Sequence, residues 1–316
     1  MDIFLEIADE YFFDNAYASI LPLPTLKSTT TIGNTSHVSS SLLLPAISST
    51  LPRDNIYRQL VSLFLMTLVF AYFFYFFFAT LSYAFVFDHD LMQHPKYISN
   101  QISKEIRLSA MGFPLTTLVT VPWFLGEVKG YSRLYENIED HGWFYAVFSI
   151  GFFLFFTDAC VYWIHRWLHT PLIYKRLHKP HHRWIIPTPF SSHAFHPFDG
   201  YVQSVPYHFF VYLFPLHKYI YIGLFVFVNM WTIMIHDGAY FASGTFINGA
   251  AHHSLHHLYF NYNYGQYFTL WDKIGGSYRL PTEEQLDEKK RKDGEVWAKQ
   301  AKEVDEFDDN GKLKKN

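Results

Sequence analysis

Three short segments of this 316-residue chain carry histidines at spacings that allow several imidazoles to meet at one point. On an α-helix, side chains three or four positions apart lie on the same face, about one turn apart. The chain offers this spacing at His165 and His169, at His178, His181 and His182, and at His253, His256 and His257. Imidazole nitrogen is a common ligand of transition metals. The pattern therefore predicts a metal site built from eight histidines.

Other residues narrow the kind of metal centre. Cys160 is the single cysteine, which excludes a disulfide framework and a cysteine-ligated zinc or iron–sulfur site. The first histidine pair lacks the glutamate of a His-Glu-x-x-His protease, and the Glu-x-x-His pairs of soluble di-iron bundles occur nowhere in the sequence. Because iron can activate O₂ whereas zinc has no redox chemistry, we expect two irons held mainly by histidines.

Further residues are candidates to complete this centre. His236 ends an apolar stretch seventeen residues before His253 and is the preferred ninth ligand. Asp158 lies two helical turns before His165, so its carboxylate could orient a ligand, with a buried cap or pairing role as the plainer alternative. A second tier of candidate ligands contains His193, His196 and His252. His208 and His217 are expected to be structural.

The composition indicates a protein embedded in a membrane. Half of the residues are hydrophobic, a fifth are aromatic and only 17% are charged, which is too apolar for an ordinary soluble domain. The net charge of −3 and the absence of a basic stripe argue against nucleic acid as a partner. No cleavable signal peptide is expected near Met1. The predicted partner of the apolar surface is therefore a lipid bilayer.

Apolar stretches predict the membrane helices. The most secure span covers residues 60–87, a weaker one covers 109–125, and a third, 143–164, runs directly into His165. Residues 203–235 form an apolar block interrupted at 215–218, which either crosses as a hairpin or enters without crossing. We expect an all-α, polytopic membrane bundle of about four to five membrane helices or re-entrant segments, with a histidine-rich helical cap in the cytosol.

The membrane topology follows from the charges near the histidines. All three clusters must lie on one side of the membrane to share a site, so an even number of crossings is expected between His182 and His252. The segment 164–183 contains no acid and carries Arg166, Lys175, Arg176, Lys179 and Arg183. By the positive-inside rule the clusters face the cytosol. If residues 109–125 span, which we favour, the N-terminal tail is lumenal; if they only lie in the interface, it is cytosolic.

The two ends of the chain differ from its centre. Residues 1–55 are expected to be a poorly ordered polar tail, which contains a possible glycosylation sequon at Asn34. Residues 56–142 hold the first membrane helices. Residues 282–316 form a charged cytosolic tail, helical in part, that ends in lysines from Lys312 to Lys315. Those lysines resemble a dilysine endoplasmic-reticulum retrieval signal, and ordinary solubilising charge is the alternative.

The three histidine motifs resemble the signature of the fatty-acid hydroxylase/sterol desaturase superfamily. That signature reads His-x-x-x-His, His-x-x-His-His and a second His-x-x-His-His, and the register of the last motif favours His253, with His252 as a neighbour or alternate. The connecting text at residues 184–197, 231–238, 248–249 and 260–267 is similar to the fungal-type, lathosterol oxidase-like sterol C5-desaturases. The resemblance covers about residues 140–280 and implies that 143–281 is the catalytic domain.

This resemblance implies an iron enzyme of the endoplasmic-reticulum membrane. Such an enzyme takes two electrons from cytochrome b5 and its NAD(P)H-dependent reductase and uses O₂ to form the C5–C6 double bond of a Δ7-sterol, in ergosterol-type synthesis. No catalytic residue beyond the metal centre is implied. Trp163, Trp167 and Phe195 are candidates to shape the sterol slot, with simple packing as the alternative.

The same sequence features also allow two alternative functions. A C4-methylsterol oxidase or a lipid hydroxylase would carry the same three motifs, and only the connecting text favours C5-desaturation. A non-catalytic metal-binding or metal-transport protein belongs to a different class, and it would carry ligands within successive spanning helices. Here the histidines cluster at the ends of predicted helices, which argues against a transport path.

Overall fold

The computed structural model describes residues 1–23, 49–240, 244–307 and 314, and this part of the chain is mainly helical. Its α-helices are α1 Asp2–Ala8, α2 Asp14–Ile20, α3 Ile56–Phe85, α4 Gln101–Val128, α5 Gly142–Leu168, α6 Pro171–Ile173, α7 Lys179–His182, α8 Pro197–Leu213, α9 Lys218–Met234, α10 Ala250–Tyr259, α11 Leu270–Gly275, α12 Glu283–Leu286, α13 Glu288–Arg291 and α14 Gly294–Asp305. Wider π-helical turns occupy Asp9–Phe13 and Tyr174–His178. The short strands β1, Leu134–Tyr135, and β2, Leu216–His217, pair in parallel.

Three helices of the described chain, α3, α4 and α5, are long and apolar enough to cross a membrane. The Asn55 side chain caps α3 by accepting hydrogen bonds from the next turn's amides, including that of Tyr57. The weaker predicted span at 109–125 forms the centre of α4, which stays helical through Pro114 and Pro122. Large apolar side chains such as Phe73 and Phe148 remain exposed on α3 and α5, as expected for surfaces that face lipid.

The apolar block at 203–235 forms α8 and α9, which run in opposite directions. Each has 17 residues and is therefore about 26 Å long. β2, between them, pairs with β1 at the end of the bundle where α5 begins, far from the histidines at the other end of α5. The two helices thus leave the histidine end and return to it, which agrees with the expected even number of crossings.

A segment of irregular and 3₁₀-helical structure, residues 184–196, lies beside the first half of α4. The Gln101 amide donates to the Ile186 carbonyl at 2.7 Å, and Thr188 donates to the buried Glu105 carboxylate. Just before α8 starts, the backbone carbonyl of Phe195 lies close to Gly112 of α4. Its buried polar groups are satisfied partly by α4 and partly within the segment, which carries the chain from the histidine cap into α8.

The expectation of a poorly ordered tail over residues 1–55 is wrong for residues 2–20. They form α1, a π-turn and α2, which bury Leu5 and Phe13 against the bundle. The Asp9 carboxylate lies 2.6 Å from the Arg58 guanidinium of α3, and both side chains are buried. Apolar spacing and this buried ion pair fix a segment whose composition alone resembles a solvated tail. The sequon at Asn34 lies outside the described residues.

The acidic and basic C-terminal region is only partly solvated. Helices α12 to α14 confirm the predicted partial helicity. The Tyr259 hydroxyl of α10 donates to Glu303 at 2.7 Å, and Arg291 lies 3.0 Å from Asp88. This region therefore fastens the histidine cap to the loop after α3. Of the terminal lysines, only Lys314 is among the described residues.

We predict that Arg58→Met releases the N-terminal helices while leaving the histidine cap intact. The substitution strands the Asp9 carboxylate without its buried cation, which costs on the order of 3–5 kcal/mol. Arg53→Met is the matched control, because Arg53 pairs with Asp14 on the surface and such pairs contribute only about 0–1 kcal/mol. Limited proteolysis of detergent-extracted protein should cut the N-terminal segment faster in Arg58→Met only. Equal rates in the two variants would contradict the anchoring role of Arg58.

Candidate metal centre

Nine histidines meet at one end of the helical bundle. The last turn of α5 carries His165, and His169 ends that helix. Thr170 and Pro171 then turn the chain back, so the π-turn and α7 bring the second cluster beside the first. The π-turn ends at His178, and Pro180 lies in the first turn of α7. α10 supplies the third cluster, and His236 follows α9.

The nine side chains form two groups, each with ligand atoms within 4.8 Å of one another. The five-histidine group contains His165, His169, His178, His182 and His256, and the four-histidine group contains His181, His236, His253 and His257. The groups are adjacent, since the rings of His182 and His257 are 4.9 Å apart. Consecutive residues of the second sequence cluster, His181 and His182, therefore point into different groups. The arrangement could hold two metal ions side by side.

Hydrogen bonds fix the orientation of four of these rings. Three of them donate from Nδ1 to backbone carbonyls: His165 to Tyr264, His236 to Thr232 and His256 to Tyr262, at 2.9, 2.6 and 2.7 Å. The fourth, His178, donates from Nδ1 to the Asp199 carboxylate at 2.7 Å. A carbonyl or carboxylate oxygen only accepts, so Nδ1 carries the proton in each ring and Nε2 keeps a lone pair.

Two of these bare Nε2 atoms face each other, since those of His165 and His178 are 3.1 Å apart. The bare Nε2 of His236 lies 3.0 Å from Nε2 of His253. Two lone pairs at this distance repel unless a cation lies between them. Two nitrogens about 2.1 Å from one metal and at right angles to each other would be about 3 Å apart. The donor set therefore fits metal ions whose neighbouring ligands lie near right angles.

Burial keeps these imidazoles in the form that binds metal. Loss of hydration, followed by the like charges of neighbouring rings, lowers the pKa of His182 and His256 well below the usual range. The same causes lower the pKa of His253 and His257. The rings are therefore neutral at physiological pH, and metal binding does not have to displace protons from them. Unpartnered ring nitrogens within the described chain, such as Nε2 of His169, complete the donor set.

The loop after α10 supplies the carbonyls that orient two of the histidines. Asp272 accepts hydrogen bonds from the amides of Tyr264 and Gly265, both at 2.8 Å. Asp158 accepts from the amides of Gln266 and Tyr267 at 2.9 and 2.6 Å. The described hydrogen bonds of Asp158 therefore go to backbone amides and not to a metal-binding histidine, which fits the plainer alternative of a buried pairing role. Its carboxylate instead fixes the backbone two residues beyond the Tyr264 carbonyl to which His165 donates.

Asp199 is the carboxylate that contacts a histidine of the centre, and the sequence analysis missed it. Both Asp199 and His178 are fully buried. Asp199 lies in the first turn of α8, 21 residues after His178, so no helical spacing links the two. The one available signal was an acidic residue at the start of an otherwise apolar helix.

The second-tier candidates lie outside both groups. His193 contacts the Ser192 hydroxyl at 3.0 Å and packs beside Tyr75, whereas the His196 ring accepts from the Phe198 amide and caps α8. His252 is buried with its ring stacked on Tyr278, 6.0 Å between centroids. The structure thus brings His253, and not His252, to the other histidines. His208 and His217 also lie outside both groups.

Two of the three aromatic residues proposed to shape a substrate slot face outward. Trp163 and Trp167 are about half exposed on α5, which fits the membrane boundary better than a slot. Phe195 packs at 5.8 Å from the His181 ring, so it borders the four-histidine group. Gly200 permits this position, because a Cβ there would lie 2.2 Å from the Phe195 ring.

Comparisons with known proteins identify a matching family and several similar proteins. Residues 150–277 match the fatty acid hydroxylase family, and this range includes all nine histidines. The chain is 47% identical to a Delta(7)-sterol 5(6)-desaturase of Aspergillus fumigatus over 96% of this chain and 93% of that protein. It is 48% identical to a Delta(7)-sterol 5(6)-desaturase of Eremothecium gossypii over 97% of this chain and 96% of that protein. A mouse lathosterol oxidase is 56% identical to the chain over 74% of this chain and 80% of that protein. No solved structure matches.

We predict that His253→Ala and His252→Ala separate a metal-binding position from a packing position. His253→Ala removes one nitrogen of the four-histidine group and should lower the metal content by up to one ion per chain. His252→Ala leaves both groups complete and should keep the metal content of the unmodified protein. The metal-to-protein ratio of both purified variants is the measurement. Loss of metal in His252→Ala with retention in His253→Ala would reverse the assignment.

Proposed function

The chain belongs to the fatty acid hydroxylase family, and from this premise we propose that it is an O₂-dependent sterol C5-desaturase. In the proposed reaction a Δ7-sterol loses one hydrogen from C5 and one from C6, and the C5–C6 double bond forms. O₂ is the oxidant. With two electrons and two protons from outside, it is reduced to two molecules of water.

The observation that carries the proposal is the pair of facing histidine groups at the end of an apolar bundle. Nine imidazoles converge there, eight of them buried, and protein side chains alone would not stabilise such a site. The relatives named as sterol 5(6)-desaturases match almost the whole chain and not only the histidine motifs. Together these observations support an oxidising metal centre and a sterol substrate.

Two irons are the proposed occupants, one in each histidine group. The five-histidine group offers more nitrogen ligands than the four of a tetrahedral zinc site. Zinc also has no redox chemistry. Iron bound here would supply the power to oxidise an unactivated C–H bond with O₂. The five-histidine group offers more nitrogen ligands than the four-histidine group, so the latter leaves more positions free.

The protein's own residues hold, orient and shield the reacting centre. The carbonyls of Tyr262 and Tyr264 keep two rings turned inward, and Asp199 does so for His178. His236 follows the end of the apolar helix α9, and Phe195 closes against His181. We propose that a flat, apolar sterol approaches the four-histidine group from the bilayer.

The proposed electron donors are cytochrome b5 and its NAD(P)H-dependent reductase, and the proposed location is the endoplasmic-reticulum membrane with the histidine cap in the cytosol. Lys175, Arg176 and Arg183 are exposed on the segment that carries the second histidine cluster. The N-terminus lies at the opposite end of the bundle, where Met1 contacts Glu127 at the end of α4. By the positive-inside rule this arrangement supports a cytosolic cap and a lumenal N-terminus.

We predict that this chain restores C5–C6-unsaturated sterols in a fungal strain that lacks its own sterol C5-desaturase. His256→Ala should abolish the restoration, because that ring belongs to the five-histidine group. His252→Ala, the matched control outside both groups, should retain it. Sterol profiles by gas chromatography and mass spectrometry give the readout, with immunoblots to verify expression. Unchanged 5(6)-saturated sterols despite a well-expressed chain would refute the assignment, and hydroxylated or C4-oxidised products would favour the alternative enzymes.

A further inference from the structure

We propose that Asp199 is a positioning residue that acts on the five-histidine group alone. Its carboxylate holds His178 in the tautomer that presents Nε2 to a metal, and its negative charge retains the ion of that group. The inference rests on the proposed iron centre but not on the identity of the sterol.

The contact has the geometry of a carboxylate that supports a metal ligand. Asp199 Oδ2 accepts from His178 Nδ1 at 2.7 Å, and neither side chain is exposed to solvent. The other carboxylate oxygen, Oδ1, accepts from Gln203 Nε2 at 2.7 Å, one turn further along α8. Both oxygens therefore have partners, and the carboxylate is fixed in place. A histidine oriented by a carboxylate is a stronger donor to a metal than one oriented by a neutral group.

The two groups differ in this respect. In the four-histidine group, His236 donates to the neutral carbonyl of Thr232. In the five-histidine group, His165 and His256 also donate to carbonyls, so His178 alone contributes the link to a charged group. Among the residues that the structure describes, no other histidine of the two groups pairs with a carboxylate. Asp199 therefore makes the two metal positions chemically unequal.

Asp199→Asn removes the charge while keeping the shape of the side chain. The amide oxygen can still accept from His178, and the new amide nitrogen can donate to Gln203 once the Gln203 side-chain amide turns over. We predict that the variant binds the ion of the five-histidine group about 10- to 100-fold more weakly. After a chelator challenge the iron content should therefore fall from two per chain toward one.

Two further variants separate positioning from folding. The double variant Asp199→Asn/Gln203→Glu places a carboxylate at position 203, one hydrogen bond further from His178. It should recover part of the lost iron. Glu105→Gln is the matched control, because Glu105 is a fully buried carboxylate that contacts Thr188 and Gln101 but no histidine. It should keep two irons per chain under the same challenge.

The decisive experiment is iron analysis of the full-length chains, purified in detergent and exposed to the same chelator. Retention of two irons in Asp199→Asn would overturn the inference. Loss of both irons without recovery in the Gln203→Glu double variant would overturn it as well, because the effect would then not be confined to one group. If the unmodified protein holds no iron, the proposed function fails together with this inference. Two irons in both the unmodified protein and Asp199→Asn would refute this inference and leave the proposed function standing.

Discussion

The structure depends on a set of imidazole Nε2 atoms that face each other about 3 Å apart. Carbonyl and carboxylate acceptors fix the proton on Nδ1 of four histidines, and the lone pairs of two of them, His165 and His178, point at each other. Burial lowers the pKa of neighbouring rings such as His182 and His253 well below the usual range. Only cations between the rings relieve this repulsion. The remaining architecture can be understood as what is needed to hold these rings in position.

Different parts of the fold meet this need in different ways. α5 carries histidines at the bundle end, His236 follows α9, and histidine rings of α7 contact those of α10. Asp158 and Asp272 hold the loop whose carbonyls orient two rings. The polar segment 184–196 lies along α4 and ties the cap to the membrane helices. The buried carboxylates of Asp158, Asp199 and Asp272 therefore serve backbone or histidine geometry, which agrees with the rule that buried charges need partners.

Local patterns in the sequence were enough to predict the membrane helices and the three histidine clusters. Long apolar stretches predict α3 and α5, and histidines spaced three or four residues apart predict convergent side chains. Both signals can be read from a single helix. Asp199 and the orientation of His252 depend on contacts between elements, for which the sequence has no periodic signal. The same holds for Arg58, whose buried partner Asp9 lies 49 residues earlier and makes an acidic segment part of the bundle.

The central claim is that the two histidine groups hold two irons that oxidise a membrane-embedded substrate. The most direct measurement is the metal content of catalytically active, detergent-purified protein, determined for iron and zinc beside its rate of sterol desaturation. The account predicts two irons per chain and a rate that rises with iron content as metal-depleted protein is reloaded. Full activity with zinc in both positions, or with no iron bound, would contradict it.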